Sequence, residues 1–207
     1  LITTPAGFQP NVKNVYGQIA EFFTRHLANF QPKIDIIFAN NRKEANRESV
    51  VAPLAKADYI FTGPGSPTYA LDNLKDTLLL KKIGERVEAG ATLSLASAAV
   101  MAFSQYCLPV YEIYKVGEPL HWERGLNFFS RFGSDLTFVS HWNNNEGGRK
   151  NDTSRCFMGR DRFARIFSLL PRRKKTVVGG IDEKTAAIFD IQKRSWTVRG
   201  KGNLHYL

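Results

Sequence analysis

The sequence predicts an α/β protein: a three-layer domain with a doubly wound, mostly parallel sheet and helices on both of its faces. Short apolar runs of strand length alternate along the chain with segments whose apolar residues recur every three or four positions. A chain of 207 residues, with 43% hydrophobic and 23% charged residues, is large enough to bury such a sheet without disulfides. Strands that alternate with helices form βαβ units, in which neighbouring strands run parallel.

The elements are predicted in the following order along the chain. An amphipathic first helix presents one apolar face, made of Val15, Ile19, Phe22, Phe23, Leu27 and Phe30. Strands are predicted at 33–39, 57–63, 91–97, 135–142 and 175–182. Helices are predicted at 44–54 and 71–87, and a last one contains Phe163, Ile166, Phe167 and Leu170. The final apolar runs, "AAIFDI" and "SWTVRG", are typical of a hairpin or an edge pair.

One domain is predicted over 1–207, because the chain contains no internal repeat, no low-complexity segment and no linker. Its first residues, "LITTPAGF", resemble the end of a strand, which suggests an N-terminal strand truncated in this numbering. Two cysteines without a CxxC pair indicate reduced thiols and a cytoplasmic location. No apolar run reaches the roughly 18 residues of a membrane span, so no membrane partner is expected.

Basic residues outnumber acidic ones. Lys and Arg together number 29 and Asp and Glu 19, which gives a net charge of +10. The basic residues concentrate in "GRDRFAR", in "PRRKK" at 171–175 and in "KRSWTVRGKG". Such a balance suits nucleic acid or an anionic substrate. Neither a zinc-finger spacing nor an aromatic RNA-binding signature accompanies the charge, so we interpret it as a solvated basic face and expect no nucleic-acid partner.

Residues suited to catalysis follow three of the predicted strands. Ser97 ends the strand 91–97, His141 follows "LTFVS", and the carboxylates of "IDEKTA" follow "VVGG". In parallel sheets, functional residues gather outside the carboxyl ends of the strands. A hydroxyl, an imidazole and a carboxylate are therefore expected at one edge. The turn "TGPGSPT" at 62–68 follows the strand before Ser97 and either presents backbone N–H groups to an anion or simply connects a strand to a helix.

Ser97 stands where a strand is predicted to turn into a helix, within "TLSLASAAVMAFSQ". A serine hydroxyl becomes a useful nucleophile when a base removes its proton, and a tight elbow exposes it beside helical N–H groups. The flanking alanines are small, but they do not supply the glycines of a G-x-S-x-G elbow. We therefore predict φ > 0 at Ser97, at a cost of about 1–3 kcal/mol. A helix cap or a packing residue is the alternative interpretation of this serine.

His141 also allows more than one interpretation. A histidine takes the serine proton near neutral pH, and a carboxylate fixes its tautomer. The same histidine can instead bond the adjacent "WNNNEGG" turn. A metal site of His141, Glu146 and Asp152 is a further alternative, but neither an HxH nor an HExxH spacing supports it, and no metal or cofactor is predicted. For "IDEKT", a polar hairpin turn is the alternative interpretation. The order Ser97, His141, "IDEKTA" favours nucleophilic catalysis.

With these motifs the sequence resembles the peptidase S51 family, the cyanophycinase and dipeptidase E group within the class I glutamine amidotransferase-like, flavodoxin-like fold. The resemblance runs from "ADYIFTGPGSPTYAL" through "LASAAVMA", "VSHWNN" and "GRDRFARIFSLL" to "GGIDEKTAAIFD", which is well over half of the chain. The match to the family's "GIDE-x-TA" segment is the most specific. Two features differ: Leu95 and Ala99 replace the elbow glycines, and a polar stretch separates His141 from the arginine-rich helix.

The resemblance implies a catalytic triad. Ser97 is expected as the nucleophile, His141 as the general base and Glu183 as the acid that orients the imidazole. Glu112 is the alternative acid, as in dipeptidase E-like members, and Glu146 is a third choice. The function implied is a serine-type hydrolase of peptide or small amide bonds. A catalytically silent amidotransferase-like domain that binds a small ligand or partner is the alternative, and a homodimer is compatible with either.

The resemblance also implies groups that bind the substrate. Backbone N–H groups of Ala98 and of the turn at Gly65 and Ser66 are expected to stabilise the oxyanion. Asn143 and Arg160 are expected to contact the substrate. An acidic peptide would suit the arginines that follow the histidine, because guanidinium groups pair with carboxylates. These arginines are Arg155, Arg160, Arg162 and Arg165. Charges on the solvated surface are the alternative interpretation of the four.

Overall fold

The structure is a computed structural model that describes residues 1–171 and 176–207. The described residues form a mixed α/β structure with small parallel and mixed sheets. They divide into two compact units, Leu1–Ala99 and Val100–Leu207. Residues 172–175 of the basic segment "PRRKK" lie outside the described residues. Within the described ranges, no helix is both long enough and apolar enough to cross a membrane.

The first unit contains a parallel strand pair, β1 (Tyr59–Thr62) and β2 (Thr92–Leu95). The start of the chain joins this pair through Ile2, which forms parallel bridges to Ile37 and to Thr62. The helices of this unit are α1 (Val12–His26), α2 (Arg42–Ala45), α3 (Glu48–Val51), α4 (Pro67–Leu74) and α5 (Leu78–Glu88), with 3-10 turns at Thr4–Ala6, Ala28–Phe30 and Ala52–Lys56.

The strand predicted at 33–39 is reduced to a bridge at Ile37. The N–H of Ile37 donates to the carbonyl of Leu1 at 2.8 Å, and the carbonyl of Ile37 accepts from Thr3 at 3.2 Å. Directly after Thr3, the chain forms the 3-10 helix Thr4–Ala6. This helix contains Pro5, which has no N–H to extend the ladder of hydrogen bonds between the two segments. Beyond Ile37, the hydroxyl of Thr4 instead donates a hydrogen bond to the carbonyl of Ala39 at 2.7 Å.

Two of the predicted helices are each split in two. Asn46 separates α2 from α3, because its side chain donates to the carbonyl of Arg42 and accepts from the N–H of Leu78. The hydroxyl of Thr77 caps the first turn of α5, and Asp76 before it has φ 55°. Short polar side chains compete in this way with the hydrogen bonds of a helix. The apolar periodicity continues across both breaks, so periodicity alone did not reveal them.

The second unit contains a mixed sheet in which β6 (Val177–Ile181) pairs in parallel with β5 (Leu136–Val139). On its other side β6 pairs antiparallel with β9 (Leu204–Tyr206), which was not predicted. The predicted C-terminal hairpin is confirmed as β7 (Thr185–Asp190) and β8 (Ser195–Gly200). The remaining elements in chain order are α6 (Ala98–Phe103), β3 (Tyr106–Cys107), a π-helical turn (Glu112–Val116), β4 (Glu123–Arg124), a 3-10 turn (Phe128–Phe132) and α7 (Gly159–Ser168).

Two glycines of β6 allow aromatic rings to pack directly on the strand. A Cβ atom at Gly180 would lie 2.3 Å from the ring of Trp142, and one at Gly179 would lie 2.7 Å from the ring of Phe138. Trp142 is buried and meets Phe163 of α7 edge-on, with 4.9 Å between the ring centroids. Because Trp142 directly follows His141, this packing holds the backbone just beyond β5.

Candidate active site

Ser97 lies on an elbow between a strand and a helix. β2 ends at Leu95, α6 begins at Ala98, and Ser97 has φ 52°, in the left-handed region. The structure thus has the positive φ that the sequence predicts for this serine. Ala98 and Ala99 are 1% and 0% exposed, so larger side chains there would displace packed atoms. A left-handed conformation at a non-glycine residue costs about 1–3 kcal/mol, and such residues cluster at functional turns.

Ala98 is the first residue of α6. The N–H groups of the first helical residues have no acceptor within their own helix. The next N–H, that of Ala99, is already bonded, because it donates to the carbonyl of Ala96 at 3.1 Å. The oxyanion donor predicted at Ala98 is therefore a helix-start N–H immediately after the serine.

His141 and Glu183 lie side by side in the second unit. The Nδ1 atom of His141 is 3.1 Å from Oε1 of Glu183. The two side chains are 34% and 36% exposed, so both reach solvent. His141 comes after β5 and Glu183 after β6, and these strands are parallel neighbours. The contact therefore follows from the topology, because the carboxyl ends of parallel neighbours meet at the same edge.

Two asparagines hold Glu183. The Nδ2 atom of Asn144 donates to Oε1 of Glu183 at 2.9 Å, and the Oδ1 atom of Asn143 accepts the backbone N–H of Glu183 at 2.8 Å. The bond from Asn144 is the main reason that the pKa of Glu183 is lowered, with smaller contributions from the hydrogen bond and charge of His141, while burial opposes them. The carboxylate is thus ionised at neutral pH and fixed in orientation.

This arrangement gives Asn143 a contact within the protein and brings in Asn144. Asn143 is predicted to contact the substrate, but in the structure its side-chain oxygen binds the backbone of Glu183. Asn144 is 3% exposed and was not among the predicted residues. In the sequence, the run of asparagines in "HWNNNEGG" is the pattern that could have indicated this contact, because short amide side chains supply hydrogen bonds to a neighbouring histidine and carboxylate.

The structure also places the other candidate acids. Glu112 begins the π-helical turn. The backbone N–H of Glu146 donates to Oδ1 of Asn144 at 3.2 Å, so Glu146 belongs to the same polar loop. Glu183 is favoured as the partner of His141, because its carboxylate contacts the imidazole and is held by a buried amide. Its assignment as the acid of a triad stays a prediction.

The turn at Gly65 and Ser66 packs against the start of the chain. Gly65 has φ 153°, and a Cβ atom there would lie 1.9 Å from the carbonyl oxygen of Pro5. The N–H of Ser66 donates to this same oxygen at 2.9 Å. The hydroxyl of Ser66 caps α4 by accepting the N–H of Tyr69 at 3.1 Å. The N–H of Ser66 is therefore engaged by Pro5 rather than directed at a ligand.

We expect Gly65→Ala to destabilise the protein by more than about 1 kcal/mol, because the side chain meets backbone atoms and the conformation is strained. Urea unfolding measures the effect. Gly90→Ala is the matched control, since Gly90 also has a positive φ, 102°, but open space around its Cβ position within the described structure. Equal losses in the two variants would contradict the steric argument.

The four arginines predicted for substrate binding differ in their surroundings. Arg155 donates through its guanidinium to the carbonyl of Trp142 at 3.0 Å and lies 4.0 Å from the centre of the Trp142 ring. Arg162 is half-buried and donates to two backbone carbonyls. Arg160 and Arg165 are exposed. The exposed pair keeps its predicted role as candidates for a substrate carboxylate, whereas the guanidinium groups of the other two are bonded within the protein.

Asp152, one member of the alternative metal site, is bonded to its own loop. Its carboxylate accepts hydrogen bonds from Ser154 and from the backbone N–H of Arg160, which lower its pKa to about 2. Over the ranges 1–171 and 176–207, no three His, Cys, Asp or Glu side chains come together as metal ligands would.

Removing the amide of Asn144 should raise the pKa of Glu183 towards its ordinary value of 4.5, because the variant Asn144→Leu loses the bond that lowers it most. A pKa lowered in the folded state adds stability above the unfolded value, and that stability is lost as the pH falls through the folded value. The stability advantage of the wild type from this source should therefore be complete near pH 7 and absent in strong acid. Carboxyl NMR titration measures the pKa. Asn145→Leu, at an exposed position, is the control, and an unchanged Glu183 pKa in Asn144→Leu would contradict the prediction.

Comparison with solved structures finds proteins of similar fold. A peptidase from an acI-B1 Actinobacterium matches with a TM-score of 0.73 and 22% identity, over 99% of this chain and 74% of that chain. A protein assigned as a peptidase E from Listeria monocytogenes EGD-e matches with a TM-score of 0.58 and 17% identity, over 97% of this chain and 84% of that chain. No protein-family model matches the sequence, and no curated protein does. At these identities the likeness establishes a fold that is similar to peptidase structures.

Proposed function

We propose that this protein is a serine-type hydrolase that cleaves peptide or small amide bonds. The observation that carries the proposal is the contact between His141 and Glu183 at 3.1 Å, in which a buried amide fixes the carboxylate. A carboxylate bonded to Nδ1 selects the imidazole tautomer whose Nε2 accepts a proton. The left-handed elbow at Ser97 and the similarity in fold to two peptidase structures support the same conclusion.

In the proposed reaction, Oγ of Ser97 attacks the amide carbonyl while His141 takes the hydroxyl proton. Glu183 accepts the Nδ1–H and stabilises the imidazolium that forms. The N–H of Ala98, with that of Gly65, donates to the oxyanion. The intermediate collapses to an acyl-enzyme as His141 passes its proton to the leaving amine. A water molecule, deprotonated by His141, then hydrolyses the ester and restores the serine.

The finer fold assignment belongs to the same proposal. We assign the chain to the three-layer, doubly wound, mostly parallel arrangement of the S51 peptidases, as one domain over 1–207. The parallel pairs β1–β2 and β5–β6 and the similarity to peptidase structures support it. A small acidic peptide or amide is the proposed substrate class, because Arg160 and Arg165 are exposed cations on the helix that follows the histidine loop.

Labelling with a fluorophosphonate probe tests the proposal, because the probe reacts with an activated serine. The wild type should be labelled and Ser97→Ala should not, and a panel of short acidic amides and esters should be cleaved by the wild type alone. A wild type that takes no label and cleaves no amide or ester would favour the silent binding domain. The residues Leu95 and Ala99 in place of the elbow glycines would then be the reason for the loss.

A further inference from the structure

A left-handed turn lies directly behind His141. Arg155, Cys156 and Phe157 are consecutive non-glycine residues with φ of 58°, 57° and 65°. Each residue in this conformation costs roughly 1–2 kcal/mol relative to the right-handed one. His141 itself has φ 53°. Strain of this kind persists only where surrounding contacts hold the backbone in place.

The turn bonds the backbone of the proposed general base. The N–H of Cys156 donates to the carbonyl of His141 at 3.2 Å, and the N–H of Arg155 donates to the carbonyl of Trp142 at 2.9 Å. The ring of Phe157 lies beside the imidazole, with 6.5 Å between the ring centroids. A movement of the turn would therefore shift both the backbone and one ring neighbour of His141.

Arg162 holds the turn from α7. Its Nε atom donates to the carbonyl of Met158 at 2.7 Å, and one terminal nitrogen donates to the carbonyl of Phe157 at 2.8 Å. The guanidinium also lies 5.7 Å from the centre of the Tyr114 ring, which packs on Phe157 with 5.4 Å between the ring centroids. A planar guanidinium can hold two carbonyls and a ring at once, whereas an ammonium group cannot reproduce that fork.

We propose that Arg162 is a positioning residue, which holds the left-handed turn 155–157 against His141 and so sets the orientation of its imidazole. This inference rests on the proposed function, since it takes His141 as the general base. It differs from the expectation that Arg162 binds a substrate carboxylate, because two of its donor atoms bond backbone carbonyls of the chain.

Two variants, Arg162→Gln and Arg162→Lys, test the proposal by steady-state kinetics and by NMR of the histidine rings. We expect both variants to lower kcat, by about tenfold to a hundredfold, with KM nearly unchanged, because misplacing a reacting group costs this much. The lysine variant distinguishes positioning of the turn from binding of a substrate carboxylate. It keeps the positive charge but loses the planar guanidinium that bonds two carbonyls. Arg199→Gln, which removes an exposed guanidinium bonded to the neighbouring Val198 carbonyl, is the control and should match the wild type.

NMR distinguishes a failure of this inference from a failure of the proposed function. The chain has four histidines, and His141→Gln identifies the ring signals of His141 in the 15N-labelled protein. The Arg162 variants should shift these ring signals without any substrate present, even if the wild type cleaves nothing. A higher KM with an unchanged kcat, or His141 signals identical to those of the wild type, would overturn the proposal. Melting curves of both variants establish that they are folded, and the lysine variant keeps the test valid if glutamine prevents folding.

Discussion

Replacing Ser97 by alanine should lower kcat for amide hydrolysis by about 10⁴-fold or more, because the nucleophile is lost and only binding and oxyanion contacts remain. Alanine fits the site, since the neighbouring residues 96, 98 and 99 are alanines already. The backbone at this position has φ 52° in the wild type, and alanine bears the same strain as serine. The melting temperature should therefore change little, so the loss reports on chemistry rather than on folding.

The double variant Ser97→Ala, His141→Ala sharpens this test. Each single change should nearly abolish turnover, and the combination should add little, because the residues of a triad act as a unit. Multiplicative losses would indicate that the serine and the histidine act independently. Initial rates on the best amide of the panel, measured at saturating and at limiting substrate, give kcat and kcat/KM for each variant.

Glu183→Gln should lower kcat by about 10²–10⁴-fold, less than the serine variant but still by orders of magnitude. The amide removes the charge that stabilises the imidazolium, and it no longer selects the tautomer with a free Nε2. The effect should be largest on kcat, since the carboxylate acts through His141 and not on the substrate. Binding of a competitive inhibitor should be preserved.

Glu112→Gln is the matched control for this variant, because Glu112 is the other acid that the family resemblance offers. Its turnover should stay close to that of the wild type. A severe loss in Glu112→Gln together with a harmless Glu183→Gln would reverse the acid assignment and favour the dipeptidase E-like arrangement. The contact of Glu183 with Nδ1 of His141 at 3.1 Å is the reason that we expect the opposite.

The features that sequence predicted best are those set by alternation of strands and helices. The ends of β5 and β6 carry His141 and Glu183 because the two strands are parallel, and parallel pairing follows from the βαβ pattern. The positive φ at Ser97 was predictable from a strand-to-helix turn without glycine. The C-terminal hairpin followed from two apolar runs with a polar turn between them.

The features that sequence missed depend on single polar side chains or on contacts far apart in the chain. Asn46 and Thr77 break helices through hydrogen bonds that leave the apolar period unchanged. The hydrogen bond from Asn144 to Glu183 joins residues that are 39 positions apart, so a local sequence pattern does not reveal it. The strand β9 has three residues and pairs with β6 on the side opposite to β5. These helix breaks, hydrogen bonds and strand pairings are determined by tertiary packing, which cannot be predicted from the local sequence.

The elbow at Ser97 has a consequence for how the sequence evolves. Glycine would adopt φ 52° without a steric penalty, but it would have no hydroxyl. Substitutions that relieve backbone strain usually stabilise a protein, but they cost activity where the strained conformation is needed for function. If Ser97 is the nucleophile, as proposed, its left-handed conformation is a case in which stability is given up to keep the hydroxyl in place.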